Sequence, residues 1–335
     1  MIDPVSGFAY PEEWAFRCED PSMLALAQSG LGVLTSSGRV LRRGHTTGTT
    51  AAAACKAAVE SLGSHDLRAV EVITACGITV EVEVAASYGS SACFKYSGDY
   101  PGDATAGLEL RAMFIRFQST AEVDAGPGIG RWDHDTPRYR RGEPAISTTA
   151  MDCILSSITA ACRARGQEGA LVYLEAPEGE KVAVRTLNPR VGVMGGVSVL
   201  GSTGMVEPWD DHLGQDAVER ARRADRAVIT TGRVGLRHAR LQYPDREVVL
   251  VGANIKRALD SREDGLILFG LPALIIKFIE PSVLTGRGFR TIEDLVMSEE
   301  GPSVVQAAVR KFKSMYPGHG IAIIDRSGRV MEAAT

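Results

Sequence analysis

The sequence predicts an α/β protein in which an α+β first domain precedes a layered β-α domain with a mostly parallel sheet. Three observations carry this. Between residues 70 and 175, β-branched runs are interrupted by one long helical stretch. From residue 211 onward, strand and helix signals alternate. A chain of 335 residues with 44% hydrophobic content is also large enough to build two cores.

Taken in order, residues 1–40 match no functional pattern and are read as an N-terminal extension that covers a surface. Leu41–Ala58, LRRGHTTGTTAAAACKAA, joins a Gly/Thr-dense turn to an Ala-rich helix that can pack closely because its side chains are small. The threonines stand where the first helical amides lack partners, which suits either an ordinary cap or a bound anion. Val70–Thr74 and Ile78–Val84 flank Cys76-Gly77 and predict a hairpin. Phe114–Phe117 and Leu171–Glu175 predict strands, and Ala150–Arg165 a helix stopped by Gly166. Residues 131–142, rich in Arg, Asp and Pro, are the nearest to a mobile lid.

Val191–Met194 predicts a short buried strand broken by Gly195 and Gly196, and Val197–Leu200 a second apolar run that ends in Gly201-Ser202-Thr203-Gly204. Then follow a helix over Asp211–Ala224, strands at Arg226–Thr230 and Glu247–Gly252, and a helix from Ile255. A strand at Leu266–Phe269, helices at Leu271–Ile279 and Pro302–Met315, and a strand at Ile321–Ile324 complete the pattern. In parallel sheets the turns after the strands face the ligand crevice. Residues 201–204, 231–235, 252–254 and 269–271 are placed there, although each also reads as an ordinary tight turn.

Composition excludes several classes. The formal net charge of -4 does not suggest nucleic-acid binding. Apolar runs such as Leu266–Ile279 are too short and too interrupted to span a bilayer, and the N-terminus lacks the pattern of a secretory signal. A cytoplasmic protein that uses neither membrane nor nucleic acid is expected, with room left for a homo-oligomer. The six cysteines form no C-x-x-C pair and no zinc spacing, so no metal site is expected. Cys55, one turn inside the Ala-rich helix, is either a space filler or a thiol acidified by the helix start.

The motif around Arg43-Gly44-His45-Thr46-Thr47-Gly48-Thr49, followed later by Asn188-Pro189-Arg190 and Gly195-Gly196-Val197-Ser198-Val199-Leu200-Gly201-Ser202-Thr203-Gly204, resembles the CbiD family of cobalamin biosynthesis. Residues 97–107, 126–130, 142–146, 230–235 and 252–254 follow in the family's order. The chain departs from the family's pattern at His45, where Tyr is usual, at Ala106, at Ser147-Thr148, and at Gly270-Leu271-Pro272-Ala273-Leu274, where the family has a His- and Lys-bearing turn. No histidine lies between Glu280 and Thr291.

The resemblance implies an S-adenosylmethionine-dependent methyltransferase acting on a tetrapyrrole, namely C1 methylation of cobalt-precorrin-5B. Two alternatives stay open: a divergent paralogue modifying another tetrapyrrole, and a non-catalytic corrinoid-binding protein. The implied domains are 1–40, 41–190 and 191–335, the last binding the donor. Implied catalytic residues are Thr46, Thr47, Thr49, Asp99, Asp103 and Glu143, and implied substrate-binding residues are Arg42, Gly44, His45, Gly48 and Arg190. The donor site is placed on Gly195, Gly196, Gly201, Ser202, Thr203, Gly204, Thr231, Gly232, Gly235, Asn254 and Gly270. Because a corrinoid precursor carries acetate and propionate groups, Arg43, Lys56, Arg138, Arg140 and Arg141 are further candidates for holding them.

Overall fold

The computed structural model describes residues 1–63, 66–100, 102–209 and 217–335. Its N-terminal segment forms two short helices, α1 (Glu12–Phe16) and α2 (Pro21–Gln28), and a ribbon of β1 (Gly32–Leu34) and β2 (Val40–Arg42). Asp20 caps α2, accepting from the amides of Ser22 and Met23. A two-residue strand, β3 (Gly44–His45), leads into α3 (Thr47–Glu60).

Next come β4 (Leu67–Ile73), β5 (Thr79–Ser87), β6 (Ser90–Phe94), β7 (Glu109–Gln118), β8 (Glu122–Ala125), and the short β9 (Gly128–Ile129) and β10 (Arg131–Trp132). Then follow α4 (Thr148–Arg163), β11 (Gly169–Glu175), α5 (Gly179–Ala183), β12 (Val193–Met194), β13 (Gly196–Val197) and β14 (Met205–Val206). Six of these strands make one sheet in the order β4-β5-β6-β7-β11-β8, antiparallel except for β11 beside β8. The hairpin expected around Cys76-Gly77 is β4–β5.

Alternation in β5 places Val80, Val82, Val84 and Ala86 on the buried face and Glu81 and Glu83 in solvent. Helices α3 and α4 cover that buried face. The alanine run explains the fit of α3, since Ala51–Ala54, Ala57 and Ala58 are completely buried between sheet and α4. At the start of α3, a Cβ on Gly48 would lie 2.9 Å from Ala150 Cβ, so glycine there sets how closely the two helices meet.

The chain continues through α6 (Ala217–Arg223), β15 (Ala227–Thr230), α7 (Arg233–Gln242), β16 (Glu247–Leu250), α8 (Ile255–Leu259), β17 (Leu266–Gly270) and α9 (Pro272–Ile279). It ends in α10 (Ile292–Met297), α11 (Gly301–Met315), β18 (Gly320–Ile324) and β19 (Val330–Ala334). The second sheet runs β16-β15-β17-β18-β19, with all strands parallel except β19. Residues 211–216 of the expected helix at 211–224 lie outside the described residues. Among the described residues no helix is long and apolar enough to cross a membrane.

Both faces of this sheet are covered, as a parallel sheet requires. Ile229, Val249, Leu268 and Ile323 pack under α6 and α8–α11. The opposite face, with Val228, Val248, Leu250, Phe269 and Ile324, packs against α7 and against Tyr10, Trp14, Ala27, Val33 and Leu34. The first forty residues are therefore part of the layer that covers this face of the sheet. Core membership also places Val197, Val199 and Met205 with the first sheet, although residues from 191 onward were expected with the second.

Candidate active site

The start of α3 is closed by its own chain. Thr46 Oγ1 accepts from Thr49 N (3.3 Å), while Thr46 N donates to Gly204 O and Gly48 N to Leu200 O, each at 3.0 Å. Thr47 Oγ1 accepts from Leu200 N (2.9 Å), and Thr49 Oγ1 donates to Gly204 O (2.7 Å). Of the two readings left open for this start, the structure shows the ordinary cap, because these amides and hydroxyls already have partners. Thr46, Thr47 and Thr49 are buried and hold the 198–204 segment in place. Gly201 and Gly204 belong to the same lock: a Cβ at Gly201 would lie 2.3 Å from Thr46 Oγ1, and one at Gly204 2.9 Å from Thr49 Oγ1. Ser202 is exposed beside them, and Thr203 Oγ1 donates to Met205 O (3.1 Å).

Beside this lock, β3 pairs with β14, and the 95–107 loop folds over Gly44, whose Cβ would lie 2.4 Å from the Ser97 carbonyl carbon. Arg42 and Asp99 clasp each other: Arg42 N donates to Asp99 Oδ2 (2.8 Å), and Asp99 N to Arg42 O (2.9 Å). Asp103 forms a buried ion pair with Lys95 and accepts from Ser97 Oγ (3.0 Å), Thr105 N (2.8 Å) and Thr105 Oγ1 (2.6 Å). Burial opposes its charge, but Lys95 and Thr105 outweigh that and hold the carboxyl below its ordinary value. Asp99 and Asp103 thus brace the loop. His45 is buried with its ring edge-on to Tyr96 (5.9 Å); burial, reinforced by the Lys95 charge, pulls its pKa down to about 4.

Farther along, Asn188 Oδ1 accepts from Ser198 Oγ (2.9 Å) and Asn188 Nδ2 donates to Gly196 O (3.4 Å), which folds the 188–198 segment on itself. Gly196 is a packing glycine, its Cβ position only 2.1 Å from Gly128 O, whereas Gly195 faces open space. Of the buried strand expected at Val191–Met194, only Val193–Met194 forms, as β12, and of these only Val193 is buried. Residues 188–191 form a 3₁₀ turn, Gly192 is left-handed at φ 80°, and Val191 and Met194 are each 51% exposed. Strand β12 pairs with β10, so the 131–142 loop lies against this segment. Within that loop Trp132 stacks on Tyr139 (5.1 Å, 10°), and Glu143 Oε2 accepts from Arg140 N (3.0 Å). Arg190 is exposed.

The residues placed on the donor site divide into two groups. Gly195, Gly196 and Gly201–Gly204 lie with the first sheet, for the reasons given. Thr231 and Gly232 lie just beyond the carboxyl end of β15 and Asn254 beyond that of β16, while Gly270 is the last residue of β17, as expected for such turns. A Cβ on Gly232 would meet nothing within 4 Å, and Asn254 is exposed. Gly235 instead lets α7 approach β17, its Cβ position lying 3.0 Å from Gly270 Cα. A cavity of about 670 Å³ between the N-terminal segment, α7 and the β18–β19 turn contains none of these residues.

Several candidates turn inward. Arg43 is a buried clamp whose guanidinium binds Asp3 (2.9 and 2.7 Å), the carbonyls of Gly30 and Gly32, and Glu207. It is not available to a substrate carboxylate. Lys56 donates to Glu71 O (2.6 Å). Cys55 is completely buried, and burial pushes its thiol up rather than down. Among the described residues no cluster of three metal-ligating side chains occurs. Sequence reasoning missed Lys95, Asp3, Glu207 and Trp132, and for the first three the only signal available was an isolated charge.

A protein-family model described as CbiD matches residues 34–208. A protein of Methanoregula boonei named "Cobalt-precorrin-5B C(1)-methyltransferase" is 50% identical over 331 residues, 99% of each chain. One of the same name from Methanospirillum hungatei is 46% identical over 331 residues, again 99% of each. A crystal structure of the cobalamin biosynthesis protein (cbiD) from Archaeoglobus fulgidus matches with a TM-score of 0.56 at 37% identity, covering 83% of this chain and 92% of that one. The locked Gly/Thr helix start, the Asn188 fold and the full-length likeness agree: the chain belongs to the CbiD family.

Proposed function

We propose that this protein transfers a methyl group to C1 of cobalt-precorrin-5B, with S-adenosylmethionine as the donor. The observation that carries the reading is the 50% identity across 99% of both chains with a relative of that name, a span that takes in the N-terminal segment and both sheets. The donor supplies a methyl group made electrophilic by its sulfonium. What falls to the chain is to hold the two reactants in line and exclude water.

Gly232, Asn254 and the Gly270 turn are the residues we assign to the donor, because they stand at the open carboxyl edge of a parallel sheet with free space above Gly232. The lock formed by Thr46, Thr47, Thr49, Gly201 and Gly204 is assigned a supporting role. We place the division between the two units after residue 206, the end of β14, whose Met205 is the last member of the first core. The six free thiols, four of them buried, support a reducing cytoplasmic compartment.

The test is anaerobic incubation of purified protein with cobalt-precorrin-5B and donor labelled at the methyl carbon. The expected product carries one labelled methyl group at C1, with S-adenosylhomocysteine released in equal amount. An unchanged tetrapyrrole overturns the reading. Gly232→Trp, which fills open space rather than core, is expected to abolish S-adenosylhomocysteine binding at an unchanged Tm.

A further inference from the structure

Resting on the reading above, we propose that the tetrapyrrole lies on the surface made by residues 187–200 and the 131–142 loop, its flat face on an apolar strip and its acids on the surrounding arginines. The strip is Leu187, Val191, Met194 and Leu200, each 45–51% exposed although apolar. Four large apolar side chains left half-exposed in one segment offer a face from which a ligand can exclude water. Its rigidity is built in: Val191 N bonds back to Leu187 O (3.2 Å), Asn188 ties the turn to Ser198, and Thr47 fixes Leu200.

The border of the strip is basic on balance, residues 131–142 carrying Arg131, Arg138, Arg140 and Arg141 against Asp133 and Asp135. Arg190 projects from the same 3₁₀ turn, and the loop that pairs through β10–β12 carries Arg138, Arg140 and Arg141. All four are exposed, and among the described residues no side-chain partner holds any of these guanidinium groups. This contrasts with Arg43, Arg220, Arg222 and Arg326, each engaged by a carboxylate. An apolar floor with an unpaired cationic border is complementary to a disc with apolar faces and a periphery of carboxylates.

Trp132 anchors the loop from the other side of this ribbon. Its ring is fixed by stacking on Tyr139 and by an edge contact with His134 (6.4 Å). Strand β10 pairs Trp132 with the buried Val193 and Arg131 with the exposed Met194, so the indole lies on the face away from Met194 and holds the loop rather than a ligand.

The experiment is calorimetric titration with cobyrinic acid, a corrin with free peripheral acids, and with its fully esterified form. Wild-type protein is compared with Met194→Glu and Arg140→Gln/Arg190→Gln, with Arg222→Gln on α6 as the control. The two surface variants are expected to lose at least tenfold in affinity for the acid. All should keep wild-type Tm and wild-type S-adenosylhomocysteine affinity, and the ester should bind wild type as weakly as the acid binds the arginine variant. In the methylation assay the same variants should raise KM for the tetrapyrrole without lowering kcat. Wild-type affinity in the variants, or no binding of the acid by wild type, overturns this inference. If wild type nonetheless methylates cobalt-precorrin-5B, the function stands and only the surface is wrong. Binding here without any methyl transfer would sink the reaction instead.

Discussion

Arg43 meets Asp3 through two nearly parallel hydrogen bonds of 2.9 and 2.7 Å, with both side chains fully buried. Asp3 also receives Arg237 of α7 at 3.2 Å, and Arg43 also reaches Glu207, so one ionic cluster joins the N-terminal segment, the strand before α3, the chain leaving β14 and the second sheet's covering helix. Removing one member of a buried pair strands the other charge, at about 3–5 kcal/mol. Asp3→Asn should therefore lower the free energy of unfolding by roughly that amount in urea titration, whereas replacing Arg43 and Asp3 together by apolar residues should cost much less. Equal losses for the single and paired replacements would contradict the clamp.

The same carboxylate sets an acid limit. Burial pushes Asp3 up, but the Arg43 hydrogen bonds and charge prevail and hold it below its ordinary value. A lowered folded-state value means that its contribution is complete above the ordinary carboxylate range and disappears as pH falls through the folded value. Wild type should lose stability below about pH 4, where a model carboxyl begins to protonate, more steeply than Asp3→Asn does.

His45 should remain neutral under all near-neutral conditions. Its pKa of about 4, against an ordinary value of 6.5, arises first from burial and then from Lys95. Because the folded form resists protonation, the stabilisation is present above pH 6.5 and is lost as pH falls toward 4. The ring resonances in an NMR titration should move only near the lower value, and His45→Gln should remove the slope between the two. Titration near 6.5 would contradict the buried environment.

Contact between α3 and α4 predicts a compensating pair. Gly48→Ala adds a Cβ at 2.9 Å from Ala150 Cβ and should destabilise by about 1–3 kcal/mol through overpacking. Ala150→Gly removes the obstructing atom, so the double variant should recover part of the loss. A double-mutant cycle in denaturant with no coupling would show that the helices are not in contact there.

Thiol reactivity should follow burial. Cys55 and Cys93 are completely enclosed, and burial first, with the charge of Glu83 second, pushes Cys93 to about 12. Iodoacetamide on folded protein should modify Cys18 and Cys76, which are partly exposed, well before these two. Early labelling of Cys55 by mass spectrometry would argue for an opened α3.

Much of the second sheet was legible because β15, β16, β17 and β18 are compact apolar runs punctuated by turns, and the β4–β5 hairpin because its alternation is regular. That residues 1–40 cover a surface was read from the sequence, but which surface was not legible, since Tyr10, Trp14 and Leu34 find their partners far along the chain and no local period reports that. Val191–Met194 was misread for a related reason. Apolar residues beside glycines signal that water is to be excluded, and the signal is the same whether the chain or a ligand excludes it. Thr46, Thr47 and Thr49 were correctly placed at a helix start, but from spacing alone a hydroxyl that binds a ligand and one that binds the chain's own carbonyl look alike.

The N-terminal layer has a consequence for synthesis. Ser36 bonds Gln242 across 206 residues of sequence, and Arg237 reaches Asp3 across 234. Residues such as Asp3 and Ser36 must therefore wait for partners more than 200 residues downstream, and pairings of such long range make for slow folding. Until β15–β18 emerge, Trp14, Val33 and Leu34 have no sheet to cover, and until the N-terminal segment returns, one face of that sheet stays wet. A version lacking residues 1–40 would carry that exposed face permanently.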